Sequence, residues 1–206
     1  MAKGIALDID NVLSATNLHW ARVLAEKFGT PDGLTPEETV APYILAHHVP
    51  YWQIPEAKEW MESARKGGEV QYDLPLIENA NHIVNKVHTI IPIKAYVTAR
   101  SEVVRERTEA WLWKHDFPQA PVYLRPPGKE NDQPNIWKAA FLPTLWPEVI
   151  GIVDDDPRLI EYLPDNYQGT IFLYKNTEHK EVTFPVIQCK GWTEVLEEVS
   201  KRFGTP

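Results

Sequence analysis

Five short apolar runs constrain this chain more than any other feature: GIAL (4–7), IKAYV (93–97), PVYL (121–124), VIGIV (149–153) and TIFLY (170–174). Each is four or five residues long, rich in β-branched or aromatic residues, and separated from the next by a segment able to hold a helix. That alternation predicts an α/β fold with a parallel sheet, because parallel strands need crossover connections and helices are the usual ones. In such sheets ligands bind beyond the carboxyl ends of the strands, so the residues that follow each run are where chemistry is to be sought.

One connection is abnormally long. Asp10 and Ile93 are separated by 82 residues, far more than one crossover helix requires. Residues 15–29 carry Leu18, Ala21, Ala25 and Phe28 on one helical face, with Gly29 at the end. Residues 35–48 open with Thr35 as cap, Pro36 at the first helical position and Glu38 three residues after the cap. Residues 55–68 read as a third helix, and 73–90 as the helix that returns to the sheet. The expected organisation is therefore a core of residues 1–14 and 73–206 with a helical insertion of residues 15–72.

The positions after the runs are chemically loaded. Asp8 and Asp10 follow the first, Thr98 and Arg100 the second, and Asp154, Asp155 and Asp156 the fourth. Lys138 lies sixteen residues ahead of Asp154, at the start of a helix, while RPPGKENDQPN (125–135) supplies a loop on the same edge. So many carboxylates would repel one another without a hard cation, and a few carboxylate oxygens with open water positions suit Mg²⁺, with Asp8 and Asp154 as natural ligands. An Asp oxygen opposite a metal-bound phosphate can attack phosphorus, and a second carboxyl two residues along a strand points the same way. Asp10 is thus the candidate to protonate the leaving oxygen and later accept a proton from water. Thr98 and Lys138 are expected to hold the phosphoryl oxygens. Asp155 is expected to reach Mg²⁺ through water or to hold Lys138.

Composition narrows the substrate. The chain of 206 residues is 43% hydrophobic and 24% charged, enough for a full core. A net charge of −8 argues against long-range attraction to nucleic acid or an anionic membrane, though a local basic pocket can still take one phosphate. Cys189 is the only cysteine, which excludes an internal disulfide and fits a reducing, cytoplasmic setting. No run has the length of a signal-peptide core or a membrane span. Composition leaves the oligomeric state open.

In order, DIDNV (8–12), VTAR (97–100), Lys138 in NIWKAAFL and VDDDP (153–157) resemble the four motifs of the haloacid dehalogenase superfamily of phosphohydrolases. The resemblance implies a Rossmann-like three-layer core and a helical cap inserted between the first two motifs. It also implies Asp8 as nucleophile, Asp10 as general acid/base with its backbone carbonyl on the metal, and Asp154 as an acidic Mg²⁺ ligand, with Asp155 beside it. Asn11 stands where glycine is common, and Lys129 in the loop rivals Lys138. Residues 97–126 are also similar to the region after the second motif in deoxyribonucleotidases and in the phosphatase half of polynucleotide kinase. That similarity implies a nucleotide or a nucleic-acid 3'-phosphate end, with Arg100 and Arg125 as candidates to touch it.

The resulting expectation is a Mg²⁺-dependent phosphomonoester hydrolase acting through an aspartyl-phosphate on a small phosphorylated metabolite, a nucleoside monophosphate being the leading candidate. A 3'-phosphatase, a sugar-phosphate phosphatase or phosphomutase, and a non-catalytic phosphate- or protein-binding domain are the alternatives. Dehalogenation is disfavoured, because it releases no alkoxide for Asp10 to protonate. The ordinary alternative for Arg100 and Arg125 is a surface ion pair. Trp20, Tyr43, Tyr51, Trp52 and Trp60 offer either a stacking wall for a base or plain packing. His47 and His48, adjacent on a helix, are expected to point apart.

Overall fold

The computed structural model describes residues 3–43, 45–67, 69–128 and 134–204. Six parallel strands form one sheet: β1 (Gly4–Leu7), β2 (Ile93–Ser101), β3 (Val122–Arg125), β4 (Val149–Asp154), β5 (Thr170–Tyr174) and β6 (Val186–Cys189). Their order is β3-β2-β1-β4-β5-β6. All five apolar runs are strands. The sixth was not legible, since VIQC is short, follows Pro185, leaves Gln188 exposed and gains its regularity only by pairing with β5.

Strand alternation builds three layers. Ile5, Leu7, Val153 and Phe172 face one side, where they meet Val84 and Val87 of α5 (Ala80–Ile90), Trp111 of α6 (Arg105–Lys114) and Val195 of α9 (Trp192–Phe203). Ala6, Ile152 and Leu173 face the other, against Ala139 of α7 (Pro134–Phe141) and Leu159 of α8 (Arg158–Tyr162). Gly4 is required at the start of β1, because a Cβ there would lie 2.3 Å from Pro92 O.

The long insertion forms α1 (Thr16–Phe28), α2 (Pro36–Val40), two 3-10 turns, α3 (Pro55–Gly67) and α4 (Glu69–Tyr72). Its apolar residues, among them Leu24, Val40, Trp52 and Met61, make a cluster of their own, apart from both faces of the sheet. Thr35 and Glu38 form the anticipated reciprocal cap: Glu38 N donates to Thr35 Oγ1 at 3.2 Å and Thr35 N to Glu38 Oε2 at 2.8 Å.

Two predicted helices are cut short. The one expected over 35–48 stops at Val40, two residues before Pro42, which cannot donate to a continuing helix. The one expected over 73–90 begins only at Ala80. Ahead of it, Pro75 and its neighbours run extended: Ala15 N donates to Pro75 O and Ile77 N to Leu13 O, both at 2.8 Å, so the strand leaving the core and the strand returning are tied together.

Candidate active site

The strand order reverses between β1 and β4, and the candidate residues Asp8, Asp10 and Asp154 collect there. Leu7 pairs with Val153, so the next residues, Asp8 and Asp154, leave the sheet side by side. Lys138 reaches both from α7, with Nζ 3.0 Å from Asp8 Oδ2 and 2.8 Å from Asp154 Oδ2. It sits in the last turn of that helix rather than at its start, and its side chain is 1% exposed. Asp154 Oδ1 accepts from Asp156 N at 2.9 Å. Asp8 Oδ1, by contrast, is buried with no hydrogen-bond partner among the described residues.

Carboxylate oxygens of Asp8, Asp154 and Asp155 lie within 4.8 Å of one another. Three carboxylates, two of them buried and that of Asp155 half-buried, face one ammonium. Burial pushes Asp8 up to about 7, opposed by Lys138 and reinforced by Asp154 and Asp10. Burial likewise raises Asp154 against the pull of Lys138, and raises Asp155 well above the carboxylate range with help from Asp154 and Asp8. The orphaned Asp8 oxygen and the all-oxygen donors fit a hard divalent cation.

Asp10 has a different environment. Its carboxylate takes Arg100 Nη2 at 2.7 Å on Oδ1 and Thr16 Oγ1 at 2.5 Å on the same oxygen, while Arg100 Nε contacts both oxygens. Burial alone would raise its pKa, but the charge and hydrogen bonds of Arg100, with Thr16, hold it below the usual value. Arg100 is thus buried in an internal ion pair, neither a surface pair nor a free substrate contact. Asn11 has φ 58°, the left-handed region in which asparagine, like glycine, is at home, and its Oδ1 accepts from Asn17 N at 2.8 Å.

A cavity of about 400 Å³ opens over these groups, walled by Asp8, Asp10, Arg100, Lys138 and Asp155 among others. Thr98 belongs to β2 itself, is fully buried, and accepts from Arg100 N at 3.3 Å; Ala99 and Ser101, not Thr98, line the wall. Arg125 does line it, with a buried Nε that finds no partner among the described residues. Lys129 lies outside the described residues.

Of the five cap aromatics only Trp20 faces the cavity. Trp52 is fully buried and donates from Nε1 to Gly29 O at 2.9 Å, and Trp20 meets Trp60 edge to face at 5.7 Å, so packing accounts for most of them. The rings of His47 and His48 do not point apart but touch, with centroids 4.4 Å apart on a tight 3-10 turn. Sequence reasoning missed Thr16, Asn17, His47, Arg65 and Arg158, all on the cavity wall. None carries a local signal; only Arg158, just after the acidic run, adjoined a recognised motif.

No family model and no curated protein matches the sequence. Solved structures do match in fold. A haloacid dehalogenase-superfamily hydrolase from Geobacter sulfurreducens aligns over 96% of each chain at 13% identity and a TM-score of 0.59. L-2-haloacid dehalogenase from Xanthobacter autotrophicus, with chloropropionic acid covalently bound, aligns over 98% of this chain and all of its own at 9% identity and 0.57. A putative β-phosphoglucomutase from Thermotoga maritima aligns over 97% of this chain and 99% of its own at 16% identity and 0.53. The chain also spans 42% of a chain in the Pnkp1/Rnl/Hen1 RNA repair complex, at 16% identity and 0.46. With its parallel sheet, strand order and acidic switch point, the chain has the haloacid dehalogenase-like fold.

Proposed function

We propose that this chain is a phosphomonoester hydrolase that works with Mg²⁺ through an aspartyl-phosphate on Asp8, with residues 15–72 acting as a cap over the leaving group. The observation that carries this reading is the cluster of three carboxylates around a single ammonium, with a buried Asp8 oxygen left without a partner among the described residues. A purely structural cluster of that kind would be costly. Asp8, Asp154 and Asp155, with the Asp10 backbone carbonyl, are the groups that would hold the cation, which when bound offsets the repulsion between Asp8 and a phosphate.

The side chains divide the work. An Asp8 carboxylate oxygen attacks phosphorus and the bond to the leaving oxygen breaks; Asp10 supplies the proton that oxygen needs. Water then attacks phosphorus, Asp10 takes its proton, and the bond to Asp8 breaks to free phosphate. Lys138 keeps positive charge beside Asp8 throughout. Because Arg100 favours the ionised form of Asp10, the water-activating step suits this geometry better than the protonating one. The cavity is of a size for a small metabolite, a nucleoside monophosphate among them.

The test is single-turnover hydrolysis of an aryl and an alkyl phosphate, with trapped phosphoenzyme measured beside product. Turnover should require Mg²⁺ and stop in excess chelator. Asp8→Asn should form no phosphoenzyme, and Asp10→Asn should lose about 10²- to 10⁴-fold on the alkyl ester and less on the aryl ester. Undiminished hydrolysis by Asp8→Asn would refute the covalent route.

A further inference from the structure

Resting on the phosphatase reading, we infer that the substrate carries a second anionic group, a phosphate or a carboxylate, on the part that leaves, and that Arg65 and Arg125 receive it at the cap side of the cavity. Three of the cations around the cavity already hold carboxylates. Lys138 is shared by Asp8 and Asp154, Arg100 grips Asp10, and Arg158 grips Asp156 with Nη2 at 2.5 Å from Oδ2. Arg65 and Arg125 line the same cavity and, among the described residues, make no ion pair.

Arg65 is exposed and Arg125 half-buried, and both line the cavity. Arg125 comes from the end of β3, with its Nε enclosed and without a partner among the described residues. Arg65 comes from α3 on the inserted segment and lies over Trp20 with its guanidinium carbon 5.8 Å from the ring centre. The two charges feel each other: partial desolvation, opposed by Glu62 and reinforced by Arg125, lowers the pKa of Arg65. Two guanidinium groups on the wall of one cavity, one from a core strand and one from a helix of the inserted segment, repel each other, and an anion between them offsets that repulsion. Phosphate and carboxylate are the anions whose geometry matches their forked donors.

The reacting phosphoryl group does not by itself explain the pair. It belongs at Asp8, where Lys138 and the cation-binding carboxylates already supply its surroundings, and Arg65 stands on the other component of the fold. A leaving group with its own negative charge engages Arg65 and Arg125 as well as the Asp8 cluster, and a neutral leaving group leaves the two arginines without an anion. The cavity volume fits a small bisphosphate or a phosphorylated acid.

The experiment uses two matched substrate pairs, adenosine 3',5'-bisphosphate against adenosine 5'-monophosphate, and 3-phosphoglycerate against glycerol 3-phosphate, with wild type, Arg65→Gln and Arg125→Gln. Wild type should favour the member with the second anion by about tenfold or more in kcat/KM in at least one pair, which also tells phosphate from carboxylate. Each variant should bring that ratio to within about threefold of one, with Arg→Lys intermediate because charge is kept and the fork is lost. Equal kcat/KM within both pairs for wild type, an unchanged ratio in the variants, or a wide preference for a 3'-phosphorylated oligonucleotide over both pairs would overturn the inference. Calorimetric binding of the same compounds separates it from the hydrolase reading. Tighter binding of the doubly charged member, lost in both variants, sustains the subsite even if nothing is hydrolysed, and equal binding ends it.

Discussion

Arg100 and Asp10, 90 positions apart in the chain, meet as a two-pronged ion pair, with Arg100 Nη2 2.7 Å from Asp10 Oδ1 and Nε 3.0 Å from Oδ2. The Arg100 side chain is 5% exposed and that of Asp10 28%, so the pair faces inward and its carboxylate reaches the cavity. Arg100 Nη1 and Nη2 also approach Thr108 and Ser14 hydroxyls, at 3.4 and 3.3 Å. The guanidinium is thus committed to Asp10, the proposed acid/base, while it also borders the cavity.

Arg100→Gln distinguishes the two roles. Misplacing Asp10 should lower kcat on an aryl phosphate by about 10²-fold while KM stays within about threefold, because the binding groups are untouched. Urea unfolding should show a loss of about 3 kcal/mol, the lower end for breaking a buried pair, since Asp10 keeps some access to water. A large rise in KM at constant kcat would return Arg100 to the list of substrate contacts.

Lys138→Met removes the one ammonium that Asp8 and Asp154 share. Two buried carboxylates then lack their counter-charge, and stability at neutral pH without metal should fall by about 3 to 5 kcal/mol. Hydrolysis should fall by about 10²- to 10³-fold on every phosphate ester. Mg²⁺ should raise the Tm of this variant more than that of wild type, as expected when a cation binds the folded state alone. An equal Mg²⁺-induced shift in both proteins would show that lysine and cation do not share the same carboxylates.

His47 gives the fold a pH dependence of its own. Burial, with Arg65, His48 and Arg158 nearby, lowers its pKa from 6.5 to about 4. Between these values the unfolded chain binds a proton that the folded chain does not, so stability falls as pH drops from 6.5 towards 4. His47→Gln abolishes this part of the slope. Comparing urea unfolding at pH 7 and pH 5, wild type should lose about 1 to 2 kcal/mol more than the variant, after allowance for partial solvent access. Parallel losses would mean that His47 titrates normally in the fold.

Much of the fold was legible because its signals are local. Apolar runs of four or five residues marked five strands, the Thr35–Glu38 reciprocal cap marked the start of α2, and the oversized gap before Ile93 marked the insertion. The D-x-D pair placed Asp8 and Asp10 at a strand end, and Lys138 was singled out sixteen residues ahead of Asp154. Each of these depends on neighbours within a turn or two, or on the alternation of a single strand.

What the sequence did not determine depends on which distant segments meet. Helix periodicity ran on through Pro42 and Pro75, where the backbone breaks, and β6 exists only because β5 offers it an edge. Arg100 looked like a substrate contact until the register of β2 beside β1 brought it to Asp10. Arg65 carried no signal at all; only the fold puts it on the wall of the same cavity as Arg125. Periodicity and capping act over a few residues and can be read from order alone, whereas a charge acquires its partner through strand order, register and burial, which belong to the whole packed chain.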